Sequence, residues 1–194
     1  GALLTTMYIG FLTARAIALG GGLANWQPSA EELADPEFRM WRLLQKPPAG
    51  VPVESLADHL ADELEQTLLR LGPERVAAFF MEPVVGAAGG AVPAPPGYAR
   101  KVRELCTRYG VLMVADEVMC GVGRCGTWRA LAHDGVEPDL MYTAKGLAGG
   151  YAPLGAVILS ETVYQAIAGR FGTLASVHTY SGHTAACAAA LAVQ

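Results

Sequence analysis

The sequence is poor in lysine, has few cysteines and contains no long apolar run. Its 194 residues include 14 Lys and Arg against 18 Asp and Glu, and no block is rich in basic residues. Because nucleic-acid binders carry a concentrated positive patch, we expect no nucleic-acid partner. The four cysteines are irregularly spaced, which favours neither a disulfide framework nor a zinc site and is typical of the cytoplasm.

A membrane anchor is not indicated either, although residues 1–30 carry only one charge, that of Arg15. Arg15 divides this segment, and neither half reaches the roughly 18–20 apolar residues that a spanning helix needs. No charged region followed by a cleavage site marks a secretory signal. We therefore expect a buried strand, turn and helix here, and no membrane partner.

Short apolar runs alternate with helical patterns through the rest of the chain. Hydrophobic residues make up 52% of the sequence, enough to bury a core. The apolar runs predict strands over 76–81, 111–115, 139–143 and 156–159. The helical patterns cover 56–71, 97–109, 160–168 and 184–193. This order predicts an α/β fold, a mostly parallel sheet with helices on both faces.

Three chemically active side chains follow the predicted strands at their carboxyl ends, where parallel sheets bind ligands. They are Glu82, Asp116 (followed by Glu117) and Lys145. An acid beyond a buried strand either meets a cation or structures a loop. A lysine among glycines, held in an apolar setting, loses its charge more easily and becomes a nucleophile; alternatively it reaches from a loop into solvent.

Lys145 and Asp116 together narrow these alternatives. A nucleophilic lysine can form a Schiff base with pyridoxal 5'-phosphate, and a carboxylate can keep the pyridine nitrogen of that cofactor protonated. A competing signal is the G-x-G-x-x-G string over 121–126. In dinucleotide-binding proteins that string directly follows a strand and opens a helix, and neither condition is met here. Lys145 and Asp116 together therefore favour pyridoxal phosphate over a dinucleotide as the cofactor.

Several long motifs also resemble those of a known enzyme family, and they occur in the order that is typical of that family. The strings are FFMEPVVGAAGGAVPAPPGY, RELCTRYGVLMVADEVMCGVGRCG, PDLMYTAKGLAGGYAPLGAVILSE and HTYSGH. With them, residues 76–194 resemble the middle of the large domain of class III (omega-type) aminotransferases, pyridoxal-phosphate enzymes of fold type I. Residues 55–75 fit a helix of that domain, and residues 1–54, which include a Pro-rich surface excursion, fit less well. We accordingly divide the chain at 54/55.

The resemblance implies a role for each matching residue. Lys145 in TAKG would form the Schiff base and shuttle the proton, and Asp116 in ADEV would pair with the pyridine nitrogen, which would lower the pKa of that carboxyl. Val118 would pack on one face of the ring, and Glu82 in MEPV would stand near the cofactor as a switchable partner for a substrate-binding arginine. Thr179 in HTYSGH would bind the cofactor phosphate of a neighbouring subunit, which implies a homodimer.

Other parts of the family pattern are altered or lie outside the sequence. Tyr8 stands where the family has an aromatic residue stacked on the cofactor, or else belongs to the core; Ile9 replaces the family's histidine, and Thr184 replaces its proline. The phosphate loop would precede Tyr8 and the small domain would follow Gln194. We therefore expect a fragment of a longer protein.

The function implied is transamination between an amine or amino acid and a 2-oxo acid. A class III relative that racemises, moves an amino group internally or eliminates would share Lys145 and Asp116. A fragment that binds no cofactor and lacks catalysis is a third alternative. The amino donor and acceptor cannot be read from these residues.

Overall fold

The computed structural model describes residues 50–87, 91–173 and 178–194. Tyr8, the predicted strand, turn and helix near the N-terminus and nearly all of the Pro-rich excursion lie outside the described residues. In chain order, the described helices and strands are α1 (Leu56–Leu71), β1 (Ala78–Met81), β2 (Val84–Val85), β3 (Val92–Pro93), α2 (Tyr98–Tyr109), β4 (Leu112–Asp116), β5 (Leu140–Thr143), β6 (Ala156–Leu159), α3 (Glu161–Phe171) and α4 (Thr184–Val193).

Four strands form one sheet in the order β1-β4-β5-β6. The pairs β1–β4 and β4–β5 are parallel, and β5–β6 is antiparallel. The predicted mostly parallel α/β sheet is thereby confirmed. The short antiparallel pair β2–β3 lies within 82–96, which the Gly and Pro content predicts as a loop. Strands of two residues carry no hydrophobic alternation, so the sequence pattern does not reveal them.

Helix α1 buries the apolar stripe that its sequence predicts. Six residues at helical spacing are buried, namely Leu56, Ala57, Leu60, Ala61, Leu64 and Leu68. Ser55 occupies the position before the helix, but its hydroxyl donates to the carbonyl of Pro52 over 3.1 Å. Serine is a common capping residue at this position, but Ser55 forms no side-chain cap here, and packing of the leucine face stabilises the helix.

Helix α2 packs between α1 and the sheet. It ends at Gly110, whose φ of 68° lies in the left-handed region that terminates helices and favours glycine. The Tyr109 hydroxyl and the Arg108 guanidinium both donate to Glu65 of α1 over 2.6 Å. These bonds join the outer surfaces of the two helices, while their apolar faces meet inside.

The two faces of the sheet differ in composition. Side chains on one face, here called the core face, pack into the same cluster as α1 and α2; they are Phe79, Met81, Met113, Ala115 and Met141. Alternation along each strand sends the intervening side chains to the other face, here called the site face. The site face carries Leu112, Val114, Asp116, Tyr142 and Val157. Leu112 is 38% exposed and Val157 is 61% exposed.

The last two helices begin with side-chain caps. The Ser160 hydroxyl accepts from Val163 N at the start of α3, and His183 Nδ1 accepts from Ala186 N over 3.2 Å at the start of α4. Helix α3 extends three residues beyond its predicted end, and α4 has its predicted bounds. Among the residues that the structure describes, none of the helices has both the length and the apolar character needed to cross a bilayer.

Candidate active site

Asp116 is the last residue of β4 and lies on the site face. Its carboxyl is largely buried, with 9% of the residue exposed. Oδ1 accepts from Val118 N over 3.0 Å, and Tyr142 of the neighbouring strand lies beside the same carboxyl. Burial raises the pKa of Asp116, while the Val118 hydrogen bond, the Tyr142 hydroxyl and the charge of Lys145 act against that rise. The lowered pKa that the resemblance implies refers to a carboxylate beside a cationic ring, and it stays a prediction.

Glu82 directly follows β1 and is electrostatically coupled to the same group of side chains. Its Oε2 accepts from Gly86 N over 2.8 Å. Burial raises the pKa of Glu82, the Asp116 charge adds to the rise, and the Lys145 charge opposes it. The structure therefore brings Glu82, Asp116 and Lys145 to one edge of the sheet, as the strand-end argument predicts.

Lys145 lies two residues beyond β5, at the start of a 3₁₀ turn over Lys145–Ala148. Its φ of 47° is uncommon for a residue with a side chain, so the backbone is strained at this lysine. The side chain is exposed, and carboxylates are the charged groups it acts on. Among the described residues, Lys145 fits the alternative in which it reaches from a loop into solvent, and the apolar setting stays a prediction.

The other predicted ligand residues are placed differently. Val118 is buried two residues after Asp116, to which its own N–H donates. Thr179 lies in an exposed turn between α3 and α4. Tyr8 lies outside the described residues. Of Val118 and Thr179, Val118 is therefore the one that adjoins the Asp116 carboxyl.

Glu117, the second acid of the motif, has a structural role. It is 1% exposed, and its carboxyl accepts from the N–H groups of Ala130 and Leu131 over 2.9 and 3.0 Å and from the Cys120 thiol over 3.3 Å. These donors begin a 3₁₀ helix over Ala130–Asp134. Of the two alternatives for an acid at this strand end, Glu117 fits the one in which it structures a loop.

The glycine string over 121–126 forms turns, and the next helical segment is the short 3₁₀ helix that Glu117 caps. A Cβ on Gly121 would lie 2.6 Å from the Glu117 carbonyl oxygen, closer than a side chain permits. Glycine at this position therefore allows the loop to fold back on Glu117. The geometry differs from the strand-to-helix turn of dinucleotide sites.

Tyr142 is a site residue that the sequence reasoning did not single out. It lies opposite Asp116 in the parallel register of β4 and β5, so both side chains share the site face. Within an apolar strand a tyrosine is indistinguishable from a core residue. Aligning the ends of the two predicted strands, VLMVAD and DLMYT, would place Asp116 opposite Thr143, so the pair becomes visible only from the register in the structure.

Comparison with known proteins places this geometry in a family. The family model for class-III aminotransferases matches residues 31–194. An aminotransferase of Gibberella zeae is 46% identical over 145 residues, covering 75% of this chain and 28% of the relative. The diaminobutyrate–2-oxoglutarate transaminase of Halomonas elongata is 43% identical over 146 residues, which cover 74% of this chain and 31% of the relative.

A solved structure shows the same fold. The taurine:2-oxoglutarate aminotransferase of Bifidobacterium kashiwanohense, in complex with PLP and glutamate, is 42% identical with a TM-score of 0.69, and the match covers 74% of this chain and 32% of that one. The chain spans about a third of the length of the relatives it matches. The expected fold type I is confirmed. The chain belongs to the class-III aminotransferase family.

Proposed function

We propose that the protein containing this chain is a pyridoxal-phosphate-dependent aminotransferase, which moves an amino group from an amine or amino acid to a 2-oxo acid. The observation that carries the proposal is the placement of Lys145 and Asp116. They follow adjacent parallel strands, and the charge of Lys145 acts on the Asp116 carboxyl. Membership of the class-III family supports the same activity.

The described residues fit the cofactor chemically. Pyridoxal phosphate needs an amine to hold its aldehyde carbon and a carboxylate to face its ring nitrogen. Lys145 provides an accessible amine, and Asp116 provides a carboxylate that accepts from Val118 N and lies beside Tyr142. The donor set at this sheet edge therefore matches the two ends of the cofactor ring system.

Bound pyridoxal phosphate supplies an electron-withdrawing ring that stabilises negative charge on the substrate carbon. The Lys145 amine would hold the cofactor before the substrate binds and, once released as a free amine, would carry the proton at the amine-bearing carbon of the substrate. The Asp116 carboxylate holds a proton on the ring nitrogen, because an ionised carboxylate stabilises an adjacent cation. Val118 would pack against one face of the ring, and Glu82 would stand near the cofactor as a partner for a cationic group.

We further propose that the working unit is a homodimer, in which Thr179 of one subunit binds the cofactor phosphate of the other. What supports this is the exposure of the segment around Thr179, where Tyr180 is 79% exposed. An aromatic residue at such a position is typical of a surface that another chain covers. Light scattering of the full-length protein measures the subunit number, and Thr179→Ala should weaken cofactor binding without changing that number.

The decisive experiment compares the full-length protein with its Lys145→Ala variant. The unsubstituted protein should retain pyridoxal phosphate through gel filtration, and borohydride reduction followed by peptide mapping should locate it on Lys145. It should form a keto acid only when a 2-oxo acid acceptor is added, which separates transamination from racemisation or elimination. Lys145→Ala should abolish the covalent link, and Lys101→Ala is the matched control because Lys101 pairs with Asp58 on α1. Retention of the link in Lys145→Ala would contradict the proposal.

A further inference from the structure

The Tyr142 side chain is fixed beside Asp116 by the sheet itself. Asp116 and Tyr142 are partners in the parallel register of β4 and β5, and Glu117 N donates to the Tyr142 carbonyl over 3.0 Å immediately beyond Asp116. Side chains at paired positions of adjacent strands lie on the same face within contact distance. The backbone therefore holds the Tyr142 ring alongside the Asp116 carboxyl.

The hydroxyl of Tyr142 is placed to complete the hydrogen bonding of the Asp116 carboxyl. Among the described residues, Val118 N donates to Oδ1 of this carboxyl. Tyr142, which the register holds beside it, carries the hydroxyl that can serve as a second donor. A hydrogen bond to an ionised acceptor is stronger than one to a neutral group, so it favours the charged carboxylate and restrains its rotation. Phenylalanine at this position would pack equally well but would provide no donor.

The surroundings of Asp116 and Tyr142 keep the Tyr142 hydroxyl protonated, so that it can donate a hydrogen bond. Burial raises the pKa of Tyr142, and the nearby carboxylates of Asp116 and Glu82 raise it further. The phenol therefore remains protonated across the range in which aminotransferases would work. The amine of Lys145 and the carboxylates of Glu82 and Glu117 are the other charged groups that act on Asp116 or Tyr142.

We propose that Tyr142 is a positioning residue, which holds the Asp116 carboxylate ionised and aimed for its contact with the cofactor ring nitrogen. The inference rests on the proposed function, since it assigns Tyr142 a task within the same site. A purely structural tyrosine would contribute packing through its ring alone. The hydroxyl is therefore the group to remove.

The experiment compares the full-length protein with Tyr142→Phe and with Tyr109→Phe as the matched control. Tyr109 also donates its hydroxyl to a carboxylate, Glu65, but between α1 and α2. In cofactor-free protein carrying ¹³C-labelled aspartate, with Asp116→Asn to assign the signal, Tyr142→Phe should move the Asp116 titration upward by about one pH unit. Tyr109→Phe should leave that titration in place.

The loaded enzyme gives the second readout. Tyr142→Phe should lower kcat by about tenfold and move the acidic limb of the kcat/KM profile upward, while the link of the cofactor to Lys145 persists. An unchanged Asp116 titration, or an unchanged pH profile in a folded variant, would overturn the positioning role. Failure of the unsubstituted protein to bind pyridoxal phosphate would instead overturn the proposed function, and the cofactor-free titration would still report on the Tyr142–Asp116 bond.

Discussion

The core face and the site face of the sheet are built from the same four strands and serve opposite purposes. On the core face Met113 is fully buried against the helices α1 and α2. Its neighbour Leu112, on the site face, is 38% exposed. Alternation along β4 thus sends Met113 and Ala115 into the core cluster and Leu112, Val114 and Asp116 to the other face, where exposure falls from 38% at Leu112 to 9% at Asp116.

The same division separates two adjacent acids at the end of β4. Glu117 turns into the protein and has donors from two backbone N–H groups and a thiol. Asp116 stays on the site face, beside Tyr142 and with a hydrogen bond from Val118 N, and burial raises its pKa. A carboxyl that is costly to ionise in the free protein gains most from a cationic partner. The difference supports Asp116, and not Glu117, as the ligand-facing acid.

The largest expected effect tests the packing difference between the two faces. Met113→Ala should lower the free energy of unfolding by about 2–5 kcal/mol, because it leaves a cavity under α2. Leu112→Ala, one residue away, should cost at most about 1 kcal/mol, because much of its side chain already meets solvent. Urea unfolding followed by circular dichroism measures both. Equal losses of unfolding free energy in the two variants would mean that a part of the chain outside the described residues covers the site face.

A smaller effect is expected from substituting the two acids by their amides. Glu117→Gln should cost about 1–3 kcal/mol of unfolding free energy, since its amide NH₂ would face a backbone donor that now has a carboxylate oxygen. Asp116→Asn should cost no stability in the cofactor-free protein, because it removes a charge that burial disfavours, yet it should weaken pyridoxal phosphate binding. Unfolding curves and cofactor titration of both variants make the comparison. A larger loss of unfolding free energy in Asp116→Asn than in Glu117→Gln would contradict the assignment of Asp116 as the ligand-facing acid.

Much of this architecture can be predicted from local signals. The four apolar runs predict the four main strands to within two residues, and Gly110 marks the end of α2 because glycine adopts the left-handed conformation easily. The strand-end rule selects Glu82, Asp116 and Lys145 together. The partnership of Tyr142 with Asp116 depends on the register between β4 and β5, and no local pattern specifies that register.

Local signals also leave open which of the two alternatives, an apolar setting or exposure to solvent, holds for Lys145. Its glycine-rich surroundings suggest a close approach of ligand or backbone, but they do not show what lies over the site face. Similarly, Ser55 has the residue type of a helix cap, yet its hydroxyl donates to Pro52 instead. A hydroxyl can be donor or acceptor, so the choice follows from the turn that precedes the helix.

The smallest expected effect is a pH dependence that distinguishes the site from the outer surface. Burial raises the pKa values of Asp116 and Glu82 above those of the unfolded chain. Their contribution to stability is therefore present at low pH and is lost as the pH rises through the folded-state values. Glu137, on the outer surface beside Arg129, has a lowered pKa because Arg129 donates to it, so its contribution is lost as the pH falls.

The site carboxyls and Glu137 should change the stability in opposite directions as the pH rises. Unfolding free energies measured between pH 3 and 7, roughly the range in which carboxyl groups titrate, distinguish the two contributions. In cofactor-free protein, the loss of stability with rising pH should be smaller in Asp116→Asn with Glu82→Gln than in the unsubstituted chain. Glu137→Gln should instead remove a gain of stability with rising pH. Saturating pyridoxal phosphate should reduce the loss of stability that Asp116 and Glu82 cause with rising pH, because a cationic ring favours ionised Asp116. It should leave the contribution of Glu137 unchanged. The same sign for both substitutions would contradict the distinction between a ligand-facing carboxyl and a surface ion pair.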